Sequence, residues 1–191
     1  MLSVSQAVKE INKRSAELAK RQRMVFIGIT GGSASGKGWL AKRLKGKHMD
    51  MDSYYKGPSR MKRKNYDRPG ALDVALFKKH LDMLHAGKPI MKPIYNFKKN
   101  KRDGYKKFLP NHILIIEGLF VLHKSVRGKI DIKVFVDSPM KVRLARRIKR
   151  DVKERGHTRE SVIKQFTEQV EPAFHRFVLP TKKYADFVVR N

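Results

Sequence analysis

The stretch Met24-Val25-Phe26-Ile27-Gly28-Ile29-Thr30-Gly31-Gly32-Ser33-Ala34-Ser35-Gly36-Lys37-Gly38-Trp39 passes from an apolar run into glycines, serines and a lysine. Met24 to Ile29 predicts a buried strand, Thr30 to Gly36 a turn, and Lys37 to Leu44 a short helix. Gly31, Gly32, Ser33, Ala34, Ser35, Gly36, Lys37 and Gly38 then form a candidate phosphate-binding loop between strand and helix. Glycines let backbone N–H groups turn inward around phosphate oxygens, and the helix N-terminus adds positive dipole. Lys37 would reach the terminal phosphates. The residue after the lysine is ordinarily Ser or Thr, whose hydroxyl holds Mg²⁺, and here it is Gly38. Either carboxylates and water hold the metal, or catalysis is impaired.

Outward from this loop, further strands are predicted at His48 to Met51, His112 to Glu117, Asp131 to Val136 and Ala185 to Val189. Helices are predicted between them at Asp73 to Ala86, Met140 to Val152 and Glu160 to about Val178, the last interrupted near Pro172. Strands alternating with helices predict an α/β fold, a parallel sheet with helices on both faces. Before the loop, Val4, Val8, Ile11 and Leu18 share one helical face, so residues 1–22 read as an amphipathic helix packed as a leading appendage and 23–191 as the main domain. A transit peptide is the competing reading of that segment, and Glu10 and Glu17 argue against it.

The 191 residues carry 45 Lys and Arg against 17 Asp and Glu, a net charge of +28. Most basic residues therefore lack an acidic partner. Such a field attracts polyanions, and salt-sensitive adsorption to nucleic acid is one expected consequence. With no cysteine, disulfides and thiolate metal sites are excluded. The apolar runs are too short to span a bilayer, which predicts no membrane association and a cytoplasmic location. The histidines show no metal-ligand spacing.

Two acidic positions suit phosphoryl transfer. Asp52 follows the second predicted strand, and Glu117 ends the run Ile113-Leu114-Ile115-Ile116. Carboxylates at the C-terminal edge of a parallel sheet face the ligand crevice, where one accepts a hydroxyl proton and both can hold a metal. Tyr54, Tyr55 and Tyr95 read equally well as core aromatics, and Arg143 and Arg146 as surface.

From Val25 onward the chain resembles the uridine–cytidine kinase family within the phosphoribulokinase/uridine kinase group of P-loop kinases. The matching blocks are Gly31 to Lys37, Met51-Asp52-Ser53-Tyr54-Tyr55-Lys56, Asn65-Tyr66-Asp67-Arg68-Pro69, Pro93-Ile94-Tyr95-Asn96-Phe97, Ile116-Glu117-Gly118, Arg146 to Asp151 with Glu154-Arg155-Gly156, and Pro180 to Asp186. The resemblance implies transfer of the γ-phosphate of ATP (or GTP), with Mg²⁺, to a hydroxyl of a nucleoside-like acceptor. It implies Asp52 as catalytic base, assisted by Lys37, Arg150 and Arg155, with metal at Asp52 and Glu117. It places Asp67 and Arg147 on the ribose hydroxyls and Tyr55 and Tyr95 along the nucleoside pocket. Asn100, Arg102, His157 and Gln165 fall on its substrate side, and the segment around Arg150 and Arg155 becomes a basic lid over the phosphates. Asn100 stands where the family's base-reading histidine falls, His157 replaces an arginine, and Asn96 an aspartate. Another acceptor, a nucleotide or sugar phosphate, therefore stays open, as does a catalytically weakened protein that binds polyanions. Oligomers are compatible with all of these.

Overall fold

The computed structural model describes residues 1–57, 65–97 and 99–191. Five parallel strands form the central sheet: β1 (Val25–Gly31), β2 (Lys47–Asp50), β5 (Ile113–Glu117), β6 (Ile132–Asp137) and β7 (Phe187–Arg190), in the order β2-β5-β1-β6-β7. A separate antiparallel hairpin pairs β3 (Ile90–Asn96) with β4 (Lys101–Phe108). The α/β sheet expected from the alternating pattern is present, and the hairpin is an addition to it.

Alternation along β1 builds a core on each side of the sheet. Val25, Ile27 and Ile29 face α1 (Val4–Ala19) and α2 (Lys37–Ala41), meeting Ala7, Ile11, Leu40 and Ala41. Phe26 faces the other way, toward α3 (Val74–His85), with Phe77, Leu81 and Leu84, and toward Phe174 and Val178. Each such fully buried side chain contributes roughly 1.5–3 kcal/mol. The first helix is held at its start by Ser3, whose hydroxyl accepts from the Gln6 amide while Gln6 accepts from the Ser3 amide. Ala7 and Ile11 are wholly buried, so this helix is part of the core rather than an appendage to it.

After α4 (Met140–Arg155) and α5 (Arg159–Gln165), the chain stays helical through Pro172. Wide turns at Phe166–Val170 and Phe174–Val178 flank α6 (Glu171–Ala173), in which Pro172 takes a first-turn position. The expected interruption is thus absorbed, because i→i+5 turns accommodate a proline that lacks an N–H. Parallel pairing sets Asp50 beside Glu117 and Glu117 beside Ile29, so the ends of β1, β2 and β5 open on one edge of the sheet.

Candidate active site

At that edge the backbone of β1 turns sharply. Gly31 has φ +151° and Gly36 φ +97°, and a Cβ on Gly31 would lie 2.4 Å from the Val136 carbonyl oxygen. Only glycine fits there. Ala34 adopts a left-handed conformation at φ +58° inside the same loop. Lys37 is buried, and its Nζ donates to the Gly32 carbonyl at 3.0 Å. Burial pushes the Lys37 pKa down, opposed by the charges of Glu117 and Asp52.

Asp52 opens a single 3₁₀ turn, Asp52–Tyr54, directly after β2. Its Oδ1 is buried without a hydrogen-bond partner among the described residues. Burial, reinforced by Glu117 and Asp50 and opposed by Lys37 and Arg155, raises the Asp52 pKa to about 7. A carboxylate poised there can accept a proton near neutral pH. A Cβ on Gly38 would lie 3.8 Å from Glu117 Oε1, so the space that a serine would fill is open beside the second carboxylate. Asp52 and Glu117 are hard oxygen donors at the rim of a phosphate loop, one of them unpartnered, and this set fits a hydrated Mg²⁺.

A cleft of about 530 Å³ joins the loop to an aromatic wall, and Tyr55, Tyr66, Tyr95 and Phe97 line it with Asp52, Asp67 and Glu117. Tyr55 packs edge-on to Tyr66 at 5.5 Å and against Tyr95 at 5.7 Å. Tyr54, by contrast, turns into the core and hydrogen-bonds His80 Nδ1 at 2.8 Å. Asn100, with φ +50°, His157 and Gln165 all lie on the cleft wall.

Three arginines converge on one carboxylate. Asp151 lies 3.2 Å from Arg147 Nε, 2.8 Å from Arg150 Nε and 3.5 Å from Arg155 Nη1. Burial acts to raise the Asp151 pKa, yet these arginines hold it below the usual carboxylate range. Arg147 also donates to Ser33 Oγ at 2.9 Å and to Gln165 Oε1 at 2.8 Å, so it links α4, phosphate loop and cleft. Arg155 reaches across to the Phe97 ring at 5.1 Å. Burial drives the Asp67 pKa up, opposed by Arg147.

Two expectations need correction, and one residue gains a role. Arg102 does not line the cleft and donates to the Tyr54 and Tyr55 carbonyls at 3.1 and 3.2 Å and to Asp73 at 3.1 Å. It braces the backbone of the turn that carries Tyr54 and Tyr55. Arg143, read as surface, is 2% exposed: it donates to Ser138 O at 3.0 Å and Glu171 at 2.8 Å and stacks on Phe174 at 4.2 Å. Arg146 is exposed, as its surface reading expects, and also lines the cleft beside the phosphate loop. Asp151 is the residue that gains a role, and its i,i+4 spacing from Arg147 and to Arg155 is visible in the sequence. Among the described residues no group of three or more His, Cys, Asp or Glu side chains that could hold a metal occurs, and no helix is long and apolar enough to cross a membrane.

With this geometry in hand, the model of the Phosphoribulokinase / Uridine kinase family matches residues 47–191. A uridine kinase of Lactiplantibacillus plantarum is 42% identical over 184 residues, covering 89% of this chain and 88% of that protein. The chain belongs to this family. A uridine kinase of Clostridium perfringens is 40% identical over 182 residues, covering 88% of each. A candidate fructose transport system kinase of Silicibacter sp. TM1040 shares the fold, with a TM-score of 0.78 at 16% identity over 98% of this chain and 99% of that one. As a member, this kinase is a phosphotransferase with a hydroxyl acceptor.

Proposed function

We propose that this kinase transfers the γ-phosphate of ATP to a hydroxyl of a nucleoside, with uridine and cytidine as its acceptors. The observation that carries the reading is the position of Asp52. Its carboxylate, whose Oδ1 is buried without a hydrogen-bond partner among the described residues, lines one cleft with the Lys37 loop and the Tyr55–Tyr95 wall. The loop backbone and Lys37 hold the donor's phosphates, while the aromatic wall holds the base and Asp67 with Arg147 faces the ribose. Asp52 takes the proton as the acceptor oxygen bonds to the γ-phosphorus, and the bond from that phosphorus to the bridging oxygen breaks to release ADP. Arg150 and Arg155 offset the charge of the transferring group. Mg²⁺ would be held by Asp52, Glu117 and water and would neutralise phosphate charge. Incubating the protein with ATP, Mg²⁺ and single nucleosides, and identifying phosphorylated product, tests the reading. Product with uridine or cytidine supports it, and phosphate transfer to a sugar phosphate alone contradicts it.

A second activity rests on charge. On the β3–β4 hairpin Lys101, Lys106 and Lys107 are exposed around Tyr105 and, among the described residues, have no carboxylate partner. Lysines interleaved with an exposed ring suit a single-stranded polyanion, with phosphates on the ammonium groups and a base on the ring. Fluorescence titration with a short oligonucleotide should show binding whose affinity falls steeply with salt; no binding at low salt removes this reading.

A further inference from the structure

Among the described residues two lysines are buried, Lys37 in the phosphate loop and Lys92, which is 4% exposed, on β3. Lys92 Nζ lies 2.8 Å from Asp50 Oδ2 and also donates to Ser53 Oγ. Asp50 in turn accepts from the Ser53 hydroxyl and, at 2.8 Å, from the Ser53 amide. Ser53 is the residue after Asp52 in the same 3₁₀ turn. On the other side, Lys92 shares β3 with Tyr95, which lines the cleft.

Strand periodicity makes this arrangement unusual. Residues three apart on a regular strand face opposite ways, yet Lys92 and Tyr95 are both buried. The hairpin register shifts between Pro93 and Tyr95, where Gly104 on β4 adopts φ +99°. The extra residue of this bulge lies on β4, so β3 keeps its alternation and is covered on both faces, and the one strand reaches both the catalytic turn and the acceptor wall.

Burying an ammonium is a poor way to gain stability, because an apolar side chain of equal size packs as well without desolvation. Asp50, 45% exposed, could instead have been paired from the surface. We infer that Lys92 is a positioning residue: through Asp50 and Ser53 it fixes the Asp52 turn relative to the hairpin that carries Tyr95, so base and acceptor wall keep one spacing. This inference rests on Asp52 acting as the base toward a nucleoside.

The test compares wild type, Lys92→Met and the double variant Lys92→Met/Asp50→Asn, which removes the carboxylate that the single change strands. Thermal melting establishes folding, and ATP KM, acceptor KM, kcat and ADP released per nucleoside phosphorylated are read together. Positioning predicts a fall in kcat/KM for the acceptor of roughly tenfold to a hundredfold in both variants, and ADP release in excess of transfer. ATP KM should stay within about twofold, since the phosphate loop is untouched. Wild-type acceptor kinetics in the folded double variant would overturn the role of Lys92, even if the single variant is slow, because charge imbalance alone would then explain the loss. A wild-type protein that phosphorylates no nucleoside would overturn the functional reading beneath it, and this inference with it.

Discussion

Glu117 Oε1 lies 3.8 Å from the point that a Cβ on Gly38 would occupy. That separation is ordinary van der Waals contact, so a serine fits without displacing anything, and its hydroxyl would share a ligand with Glu117. Gly38→Ser should therefore lower the Mg²⁺ concentration needed for half-maximal turnover. It should also raise stability by about 0.5 kcal/mol through helix propensity, which melting without metal measures separately. An unchanged metal requirement in a folded variant would mean that the ion sits away from Glu117.

The raised pKa of Asp52 gives a pH dependence with a definite sign. The base works when deprotonated, so acceptor kcat/KM should fall with one proton in the slope as acid protonates Asp52, at a pH below the value of about 7 that holds without metal, since a cation beside the carboxylate lowers it. Stability runs the opposite way. A carboxyl whose folded pKa exceeds its unfolded value binds its proton more tightly when folded, so it loses stability as pH rises from about 4 toward 7. Asp52→Asn should flatten that part of the stability profile and melt higher than wild type at pH 8. A lower melting temperature there would show that the Asp52 charge is stabilising.

Asp151 holds Arg147, Arg150 and Arg155 at the wall of the cleft. Asp151→Asn should cost roughly 1–3 kcal/mol in stability, less than a fully buried pair, because Arg150 and Arg155 are each about a third exposed. Turnover should drop at least about tenfold with a higher ATP KM, since Arg150 and Arg155 lose their common anchor. Unaltered kinetics would reduce Asp151 to a packing role.

Lys37 offers the one flexible ammonium inside the phosphate loop. Lys37→Ala removes a buried charge, so the protein should fold at least as well while ATP affinity falls by roughly a hundredfold or more. Calorimetric titration that finds wild-type affinity would detach the loop from nucleotide binding.

Much of this architecture is readable from the sequence because the central strands are short apolar runs flanked by turn residues. The hairpin was not, since Lys101–Phe108 buries only its last residue and so has no alternation to detect, while Pro93 and Gly104 argue locally against strands. The basic stretch Lys98 to Lys107 is visible in the sequence, with Lys98 outside the described residues, but charge alone does not indicate a strand. Arg143 could not be told from its neighbours in a run of basic residues, because its burial depends on Glu171 and Phe174, which arrive from a distant helix. Resemblance places Arg102 with the substrate, whereas its guanidinium is held by the Tyr54 and Tyr55 carbonyls and Asp73, partners remote in sequence that the local pattern does not reveal. Asp52 and Glu117 were legible, since strand ends in parallel sheets have a known geometry.

Rapid-quench transfer from γ-labelled ATP to uridine, run with wild type and Asp52→Asn, bears most directly on catalysis at Asp52. Label should pass to the nucleoside in wild type with one ADP formed per transfer. In Asp52→Asn, with ATP and uridine still binding, the rate should fall by roughly a hundredfold or more. Equal transfer rates in the two proteins, or no labelled nucleoside from a folded wild type that binds ATP, would contradict it.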